Sequence, residues 1–335
     1  MSPKHVLICR TDNIGDVTLT LPLAHMLKSR DPQLRIGFIC RGYAAGVVRL
    51  CDAVDDVLEV EQLDDPVAAL ANSGADTIIF AKPDRRLAMA AWRAGIAQRV
   101  GTSHRLFHWL YCNRLAHFSR ARSSLHEAQH NFALLRPLGI AMMPDLSQLA
   151  ALALLATPPL AAALAPPAGQ FNLIFHTKSN GNGREWPISH FTALARLLGE
   201  HPDIRIWLTG SVDEGRWLAQ NASVLLGLPQ VKNICGHLSL AQLSAFIAAS
   251  DGLIACGTGP LHLSAGLGQN TLGLFPPLPP IHPTRWAPLG PRAEYLCQAT
   301  QCKGCADATQ CECMRQITPG RVEEVVLRWR AAVAC

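Results

Sequence analysis

Residues 5–16 of the chain read HVLICRTDNIGD, and this stretch decides the fold that the sequence predicts. Its first half, His5–Arg10, is a short apolar run of the kind that favours a buried strand. Gly15 then lets the backbone turn tightly, and a helix-like run follows in which Pro22 predicts a kink or a late start. A strand, a turn and a helix form the repeating unit of parallel sheets, so the sequence predicts an α/β fold.

The same alternation continues along the chain. Helix-like runs such as His190–Gly199 and Leu240–Ser250 follow apolar ones, and Ser239 with Gln242 has the spacing of a capping box. Thr318 before a proline is typical of the start of a last helix. The further strand candidates are Leu34–Cys40, Asp76–Phe80, Phe171–His176, Ile204–Thr209, Gly252–Cys256 and Thr271–Phe275.

The domain organisation follows from length and composition. The chain has 335 residues, enough for about two domains, and residues 156–169 are rich in Ala and Pro. We therefore expect a Rossmann-like domain at 1–156, a linker at 157–169, a second Rossmann-like domain at 170–317 and a last helix at 318–335. Ligands of such sheets bind beyond the carboxyl ends of the strands, so we expect the two domains to face a central cleft.

Charge is concentrated in one segment. The net charge of +5 is mild and does not indicate a nucleic-acid-binding protein, and 49% apolar residues exclude wholesale disorder. From Lys82 to Glu127, however, the chain has nine basic residues and only two acidic ones. This excess of positive charge predicts either a solvated helical face or an anionic partner. The basic residues are Lys82, Arg85, Arg86, Arg93, Arg99, Arg105, Arg114, Arg120 and Arg122.

The sequence predicts a cytoplasmic protein. Residues 1–10 enter the first strand without the pattern of a signal peptide, and twelve cysteines then indicate reduced thiols. The most apolar stretch, residues 149–164, is interrupted by Thr157, Pro158 and Pro159 and is too short to span a membrane. Any membrane contact is expected to be peripheral.

Asp16 is the first candidate for chemistry. It follows Gly15 at the carboxyl end of the first strand, where a carboxylate could take a proton from an incoming hydroxyl. The alternative is structural, because Asp also favours helix N-termini.

Residues 256–262, CGTGPLH, directly follow a predicted strand and indicate an anion site. Thr258 is expected to cap a helix with Pro260 in its first turn, and the glycines allow close backbone approach. Free N–H groups and the helix dipole suit a diphosphate. His262 either reaches a ligand or packs. Neither the dinucleotide fingerprint nor a P-loop is present.

The loop of residues 176–187, HTKSNGNGREWP, leaves another predicted strand. Lys178 and Arg184 could offset the charge of a leaving diphosphate without a metal, although a mobile polar loop would carry the same residues. Trp186 is expected to pack rather than to stack on a base.

The last cluster contains cysteines. The first pair has the spacing of metal ligands, but the second pair is too closely spaced for an ordinary zinc ribbon. Reduced loop thiols are the default interpretation and a structural metal is the alternative. The cysteines are Cys302, Cys305, Cys311 and Cys313, with Cys297 just upstream.

Together these motifs resemble glycosyltransferase family 9, the ADP-heptose:lipopolysaccharide heptosyltransferases. Residues 8–23 resemble its N-terminal signature, residues 184–187 its central K/R-x-W-P element, and residues 257–263 its donor motif D-[ST]-G-P-x-H-L. Residues 283–286 and 313–317 also have counterparts. The order and spacing of these elements cover most of the chain.

The resemblance implies a GT-B fold whose C-terminal helix crosses back to the first domain. It also implies inverting, metal-independent transfer of a heptose from ADP-heptose, without a cofactor, to an anionic lipopolysaccharide core. Peripheral contact with the inner membrane is a further expectation, and nucleic acid is not an expected partner. Asp16 matches the proposed base. The expected donor-binding residues are Thr177, Lys178, Ser179, Arg184, Gly257, Thr258, Gly259, Pro260 and His262, and the expected acceptor-binding residues are Asp12, Asn13, Arg85, Arg86 and Arg120.

One position departs from the family pattern. The donor motif usually begins with an acidic residue, and this chain has Gly257 there. Two alternatives therefore stay open: a related enzyme that uses another nucleotide sugar, and a non-catalytic nucleotide-binding partner of lipopolysaccharide assembly.

Overall fold

Two parallel sheets organise the computed structural model, which describes residues 3–120, 123–179, 181, 183–298, 301–302 and 310–333. The chain divides into two units, Met1–Ala156 and Thr157–Cys335. Within the described residues each unit contains one six-stranded sheet, and all neighbouring strands are parallel.

The sheet of the first unit has the order β3-β2-β1-β4-β5-β6. Its central strands are apolar and fully buried, and its outer strands are half-buried and more polar. The strands are β1 (His5–Cys9), β2 (Arg35–Cys40), β3 (Asp56–Glu59), β4 (Thr77–Phe80), β5 (Gln98–Thr102) and β6 (Arg114–Ala116). The helices are α1 (Ile14–Thr18), α2 (Leu21–Arg30), α3 (Gly42–Val48), α4 (Pro66–Asn72), α5 (Arg85–Arg93), α6 (Leu106–Tyr111), α7 (Glu127–Ala133) and α8 (Leu146–Leu152).

The sheet of the second unit has the order β12-β11-β10-β7-β8-β9, which is the same topology. Its strands are β7 (Phe171–His176), β8 (Ile204–Leu208), β9 (Val231–Asn233), β10 (Gly252–Cys256), β11 (Asn270–Leu274) and β12 (Ala293–Leu296). The helices are α9 (Ile188–Leu198), α10 (Val212–Asn221), α11 (Ser223–Leu226), α12 (Leu240–Ala248), α13 (Gly259–Gly266), α14 (Pro283–Trp286), α15 (Glu312–Arg315) and α16 (Pro319–Val333).

In both sheets the strand order reverses between the first and fourth strands of the unit. The reversal lies between β1 and β4 in the first sheet and between β7 and β10 in the second. At such a switch point the neighbouring loops diverge to opposite faces of the sheet and leave a crevice beyond the carboxyl ends of the strands. Each unit therefore has a crevice at its switch point, beyond β1 and β4 in the first unit and beyond β7 and β10 in the second.

The local predictions agree with the structure. All seven predicted strands are present, within one residue at either end. The Ser239 hydroxyl accepts from the backbone N–H of Gln242 at 3.3 Å, so the capping box is confirmed. α1 ends at Thr18 and α2 begins at Leu21, with Pro22 in its first turn, so the helix after β1 does start late.

Helix α16 packs inside the second unit, against α9 and the sheet. Val322, Val326 and Trp329 are buried in the core of that unit, and the Trp329 ring lies over Gly252 in β10. The return of this helix to the first domain stays a prediction. Each helix in the described part of the chain is too short or too polar to cross a bilayer.

Candidate active site

A buried arginine organises the carboxyl end of β1. Arg10 is only 4% exposed, and its guanidinium donates to three carboxylates. Nε donates to Asp12 at 2.7 Å, Nη1 donates to Glu127 at 3.2 Å, and Nη2 donates to Asp16. Burial alone would lower the pKa of Arg10, but the three carboxylates raise it above its ordinary value. The guanidinium therefore stays charged and holds Asp16 in place.

Asp16 lies in the first turn of α1, but it does not cap the helix. The N-cap position belongs to Asn13, whose side chain makes no capping hydrogen bond. Burial raises the pKa of Asp16, Arg10 lowers it, and Asp12 and Glu127 raise it again, so the pKa lies above the ordinary value of an aspartate. A raised pKa makes this carboxylate a better proton acceptor than an exposed one.

Arg120 belongs to the same cluster. Its Nε donates to Glu127 at 3.2 Å, and its Nη2 donates to the carbonyl of Ala81, beyond β4. Glu127 therefore joins Arg120 to Arg10. The backbone carbonyl of Asp12 accepts from the Tyr43 hydroxyl at 2.9 Å.

Arg85 and Arg86 are placed differently. Both are exposed in the first turn of α5, which begins beyond the carboxyl end of β4. Arg86 donates to the carbonyl of Leu63 at 2.9 Å. Since β4 is paired with β1, α5 starts at the sheet edge that also holds Asp16. Arg122 lies outside the described residues.

Sequence reasoning missed the roles of Arg10, Glu127 and Asn131. Asn131 accepts from Arg10 at 3.4 Å and donates to the hydroxyl of Thr20. A signal was available, because Glu127 is the first acidic residue after Asp84 in a long basic segment. A lone carboxylate in such a setting favours a buried arginine partner.

In the second unit, the loops that follow β7 and β10 lie side by side. The backbone N–H of Trp186 donates to Sγ of Cys256 at 3.2 Å. A Cβ atom on Gly183 would lie 3.4 Å from the carbonyl oxygen of Gly257. The structure thus brings together the two stretches that the sequence analysis assigned to the donor.

Two buried threonine hydroxyls mark this crevice. Oγ1 of Thr177 and Oγ1 of Thr258 are buried and have no hydrogen-bond partner within the described residues. Thr258 occupies the N-cap position of α13 as predicted, with Pro260 in the first turn, but its hydroxyl does not bond to the helix. A buried hydroxyl without a partner costs free energy, and a ligand oxygen at this point would satisfy it.

Lys178 is held in place by two neighbours. Its ammonium group donates to Glu185 and lies 3.9 Å from the centre of the Trp217 ring. Glu185 also accepts from the backbone N–H of Ser179 at 3.1 Å, and the Ser179 hydroxyl donates to the carbonyl of Gly183. These bonds shape the loop. Glu185 and Trp217 were not among the predicted site residues.

Arg184 is half-buried between Gly183 and Glu185 in this loop. The neighbouring Trp186 is buried, as expected, and its indole N–H donates to the carbonyl of Ile317 at 2.8 Å. His262 is buried in α13, and its ring lies 6.4 Å from that of Trp286.

Gly257 lies against a buried aromatic ring. A Cβ atom at this position would lie 3.2 Å from Cε1 of Phe275, and one on Gly273 would lie 2.5 Å from Cε2 of the same ring. The Phe275 ring therefore occupies a slot between two glycines. A side chain at residue 257 would require this ring to shift by a few tenths of an ångström.

The cysteine cluster is only partly described, and among the described residues no group of three or more His, Cys, Asp or Glu side chains could hold a metal ion. Cys311 and Cys313 are buried in the core of the second unit, and Cys302 packs against that core. Cys305 lies outside the described residues.

Known proteins are similar to this chain over most of its length. The sequence profile of glycosyltransferase family 9 (heptosyltransferase) matches residues 67–314. A Haemophilus influenzae protein described as a candidate glycosyltransferase is 25% identical over 308 residues, which cover 85% of this chain and 86% of that protein. Lipooligosaccharide heptosyltransferase 2 of Campylobacter jejuni is 27% identical over 152 residues, or 44% of this chain and 46% of that protein.

A solved structure confirms the predicted fold. E. coli ADP-heptose LPS heptosyltransferase II matches 100% of both chains with a TM-score of 0.77 at 19% sequence identity. The two Rossmann-like parallel sheets of the GT-B type are thus confirmed.

Proposed function

Because this chain belongs to glycosyltransferase family 9 (heptosyltransferase), we propose that it moves a heptose from ADP-heptose to an inner-core acceptor of lipopolysaccharide. One observation carries the proposal. The two switch points hold complementary chemistry. Beyond β1 lies a partly buried carboxylate with a raised pKa, and beyond β7 and β10 lie two buried hydroxyls without a partner among the described residues, one of them at the N-cap of α13. The first suits a proton acceptor, and the second suits a diphosphate.

The donor is assigned to the second unit. Thr177 and Thr258 would donate to phosphate oxygens, and the first N–H groups of α13 face the same anion. Lys178, Ser179 and Arg184 on the adjacent loop would offset the charge that builds up as the diphosphate leaves. These are charges of the chain itself, so the proposed reaction needs no metal and no cofactor.

Asp16 is assigned the catalytic role. Its carboxylate accepts the proton of an acceptor hydroxyl while the hydroxyl oxygen forms a bond to the anomeric carbon of the heptose. The bond from that carbon to the β-phosphate oxygen breaks on the opposite side, and its electron pair leaves with ADP. A direct displacement of this kind inverts the anomeric configuration. Arg10 keeps the carboxylate oriented, and protonated Asp16 afterwards loses its proton to water.

The acceptor is assigned to the first unit as an anionic, lipid-linked core oligosaccharide in the cytoplasm. Asp12 and Asn13 lie next to Asp16 in the turn after β1, while Arg85, Arg86 and Arg120 supply positive charge at the same sheet edge. Cations suit the phosphate or carboxylate groups of such an acceptor.

Transfer from ADP-heptose to defined core acceptors, read by mass spectrometry, tests the proposal. We expect a mass increase of one heptose and release of ADP. A panel of other nucleotide sugars serves as the control, because Gly257 leaves a different donor open. Transfer of another sugar alone would overturn the donor assignment. Calorimetric binding of ADP without transfer to any acceptor would instead favour a non-catalytic binding partner.

A further inference from the structure

Helix α6 of the first unit has an outer face that the described residues leave exposed. Leu106, Trp109 and Leu110 are spaced by three and four residues and therefore lie on one side of the helix. Their exposed fractions are 87%, 58% and 72%. Trp92 on α5 is also half exposed and extends the apolar surface through Tyr111, whose ring lies 6.0 Å from its own.

The inner face of the same helix packs against the first unit through His108. His108 is buried, its Nδ1 lies 3.0 Å from the carbonyl oxygen of Thr102, and its ring contacts those of Phe80 and Phe107. The indole N–H of Trp109 donates to the carbonyl of Ser103 at 2.8 Å. The helix is thus anchored, and its apolar outer face is presented in a defined orientation.

Three exposed arginines are close in sequence to these apolar residues. Arg93 follows Trp92, Arg105 precedes Leu106, and Arg114 follows Tyr111 by three residues; all three are exposed. The sequence has no acidic residue between Asp84 and Glu127. An apolar surface with a tryptophan and neighbouring arginines matches a bilayer surface that contains anionic lipids, where apolar side chains enter the interface and cations meet phosphates.

We propose that the outer face of α6, with Arg93, Arg105 and Arg114, docks the protein on an anionic membrane surface. This deepens the proposed function, since an acceptor with a lipid anchor has to be reached at the bilayer. A second copy of the chain is a poorer occupant, because two such faces would bring like charges together.

Co-sedimentation of the full chain with lipid vesicles tests the proposal. We expect binding to phosphatidylcholine vesicles that contain phosphatidylglycerol and much weaker binding to phosphatidylcholine alone. Leu106→Ser with Leu110→Ser should lower the partition coefficient about tenfold or more. Arg93→Gln with Arg105→Gln should lower it by about fivefold for each charge, and only on the anionic vesicles.

A matched control comes from exposed apolar residues elsewhere. Leu154→Ser with Val224→Ser removes two other exposed apolar side chains, which are 43% and 54% exposed, and should leave vesicle binding unchanged. Equal binding of the α6 variants and the parent would overturn the proposal, and so would a dimer in gel filtration that the leucine variant dissociates. If the leucine variant has a lower melting temperature, vesicle binding by the arginine variant tests the proposal instead, because that variant changes surface charge alone.

A soluble acceptor separates this inference from the proposed function. On a deacylated core oligosaccharide, the α6 variants should turn over at the rate of the parent chain. Loss of vesicle binding with such turnover supports the docking surface. Vesicle binding by the parent without transfer to any acceptor would contradict the proposed function and leave the docking surface standing.

Discussion

The guanidinium of Arg10 donates from Nη2 to the Asp16 carboxylate, and both groups lie at the carboxyl end of β1. The same arginine also binds Asp12 and Glu127, so Asp16 shares its cation with two other carboxylates. Burial, together with the negative charges of Asp12 and Glu127, raises the pKa of Asp16 although a positive charge lies in direct contact.

The proposed base can be tested by removing its charge. Asp16→Asn should reduce the rate of transfer by a factor of about 10²–10⁴, because general-base assistance is lost. ADP affinity, measured by calorimetry, should stay close to that of the parent, since the donor is assigned to the second unit. Asp52→Asn changes a highly exposed carboxylate and serves as the control. Unchanged transfer by Asp16→Asn would contradict the assignment.

The acid limb of the pH profile should respond to Glu127. Asp16 acts as a base only when it is deprotonated, so kcat/KM should fall as the pH falls through its raised pKa. Glu127 contributes to that rise, and Glu127→Gln should therefore lower the pKa of Asp16 and move the acid limb to lower pH. A shift to higher pH would show that Glu127 acts differently. A melting curve checks that the buried amide is tolerated.

Lys178 should contribute to diphosphate binding. Lys178→Met is expected to weaken ADP binding by about tenfold, the size of one charge-assisted hydrogen bond, and to leave adenosine binding unchanged. Lys232→Met is a matched control, because Lys232 also lies over an indole ring, that of Trp207. Equal losses for ADP and adenosine would indicate a structural role for Lys178 in the loop.

The slot around Phe275 predicts coupling between two positions. Gly257→Asp alone should weaken ADP binding and lower the melting temperature, because its Cβ would lie 3.2 Å from the ring. Phe275→Leu made in addition should recover part of both losses. A double-mutant cycle measures the coupling, which we expect to be about 0.5–3 kcal/mol. Additive effects would mean that the ring does not limit residue 257.

Arg85 should act on the acceptor alone. Arg85→Gln is expected to raise the KM of the acceptor several-fold at low salt and less at high salt, because an exposed charge is screened. The KM of the donor should not change. Arg216→Gln removes an exposed arginine from the second unit as a control. If the KM of the acceptor does not change, the basic segment is better explained as a solvated helical face.

Apolar periodicity was sufficient to predict the central strands but not the outer ones. β3, β6, β9 and β12 lie at the sheet edges and are half-buried, with polar residues among the apolar ones. A strand with only partial burial needs fewer apolar residues, so its sequence resembles that of a loop. β5 lies between β4 and β6 and was not predicted either; it begins with Gln-Arg, and these two residues are half-buried.

Of the residues in the candidate active site, some could be predicted from the sequence and others could not. Asp16, Lys178 and Thr258 stand in local motifs at strand ends and could be singled out from sequence. Their partners could not, because Arg10 and Glu127 are 117 residues apart and meet only through the fold. Trp217 reaches Lys178 from α10, which no pattern near residue 178 indicates.

The slot between Gly257 and Gly273 also restricts the order in which this donor site can change. On the coupling predicted above, a carboxylate at residue 257 fits better once residue 275 has become smaller, and that step empties part of a buried pocket. Such a truncation costs about 2–5 kcal/mol in a typical core. Successive single substitutions that lead from this chain to one with the usual acidic motif therefore pass through a less stable intermediate. Such substitutions are selected against unless stability is gained elsewhere beforehand.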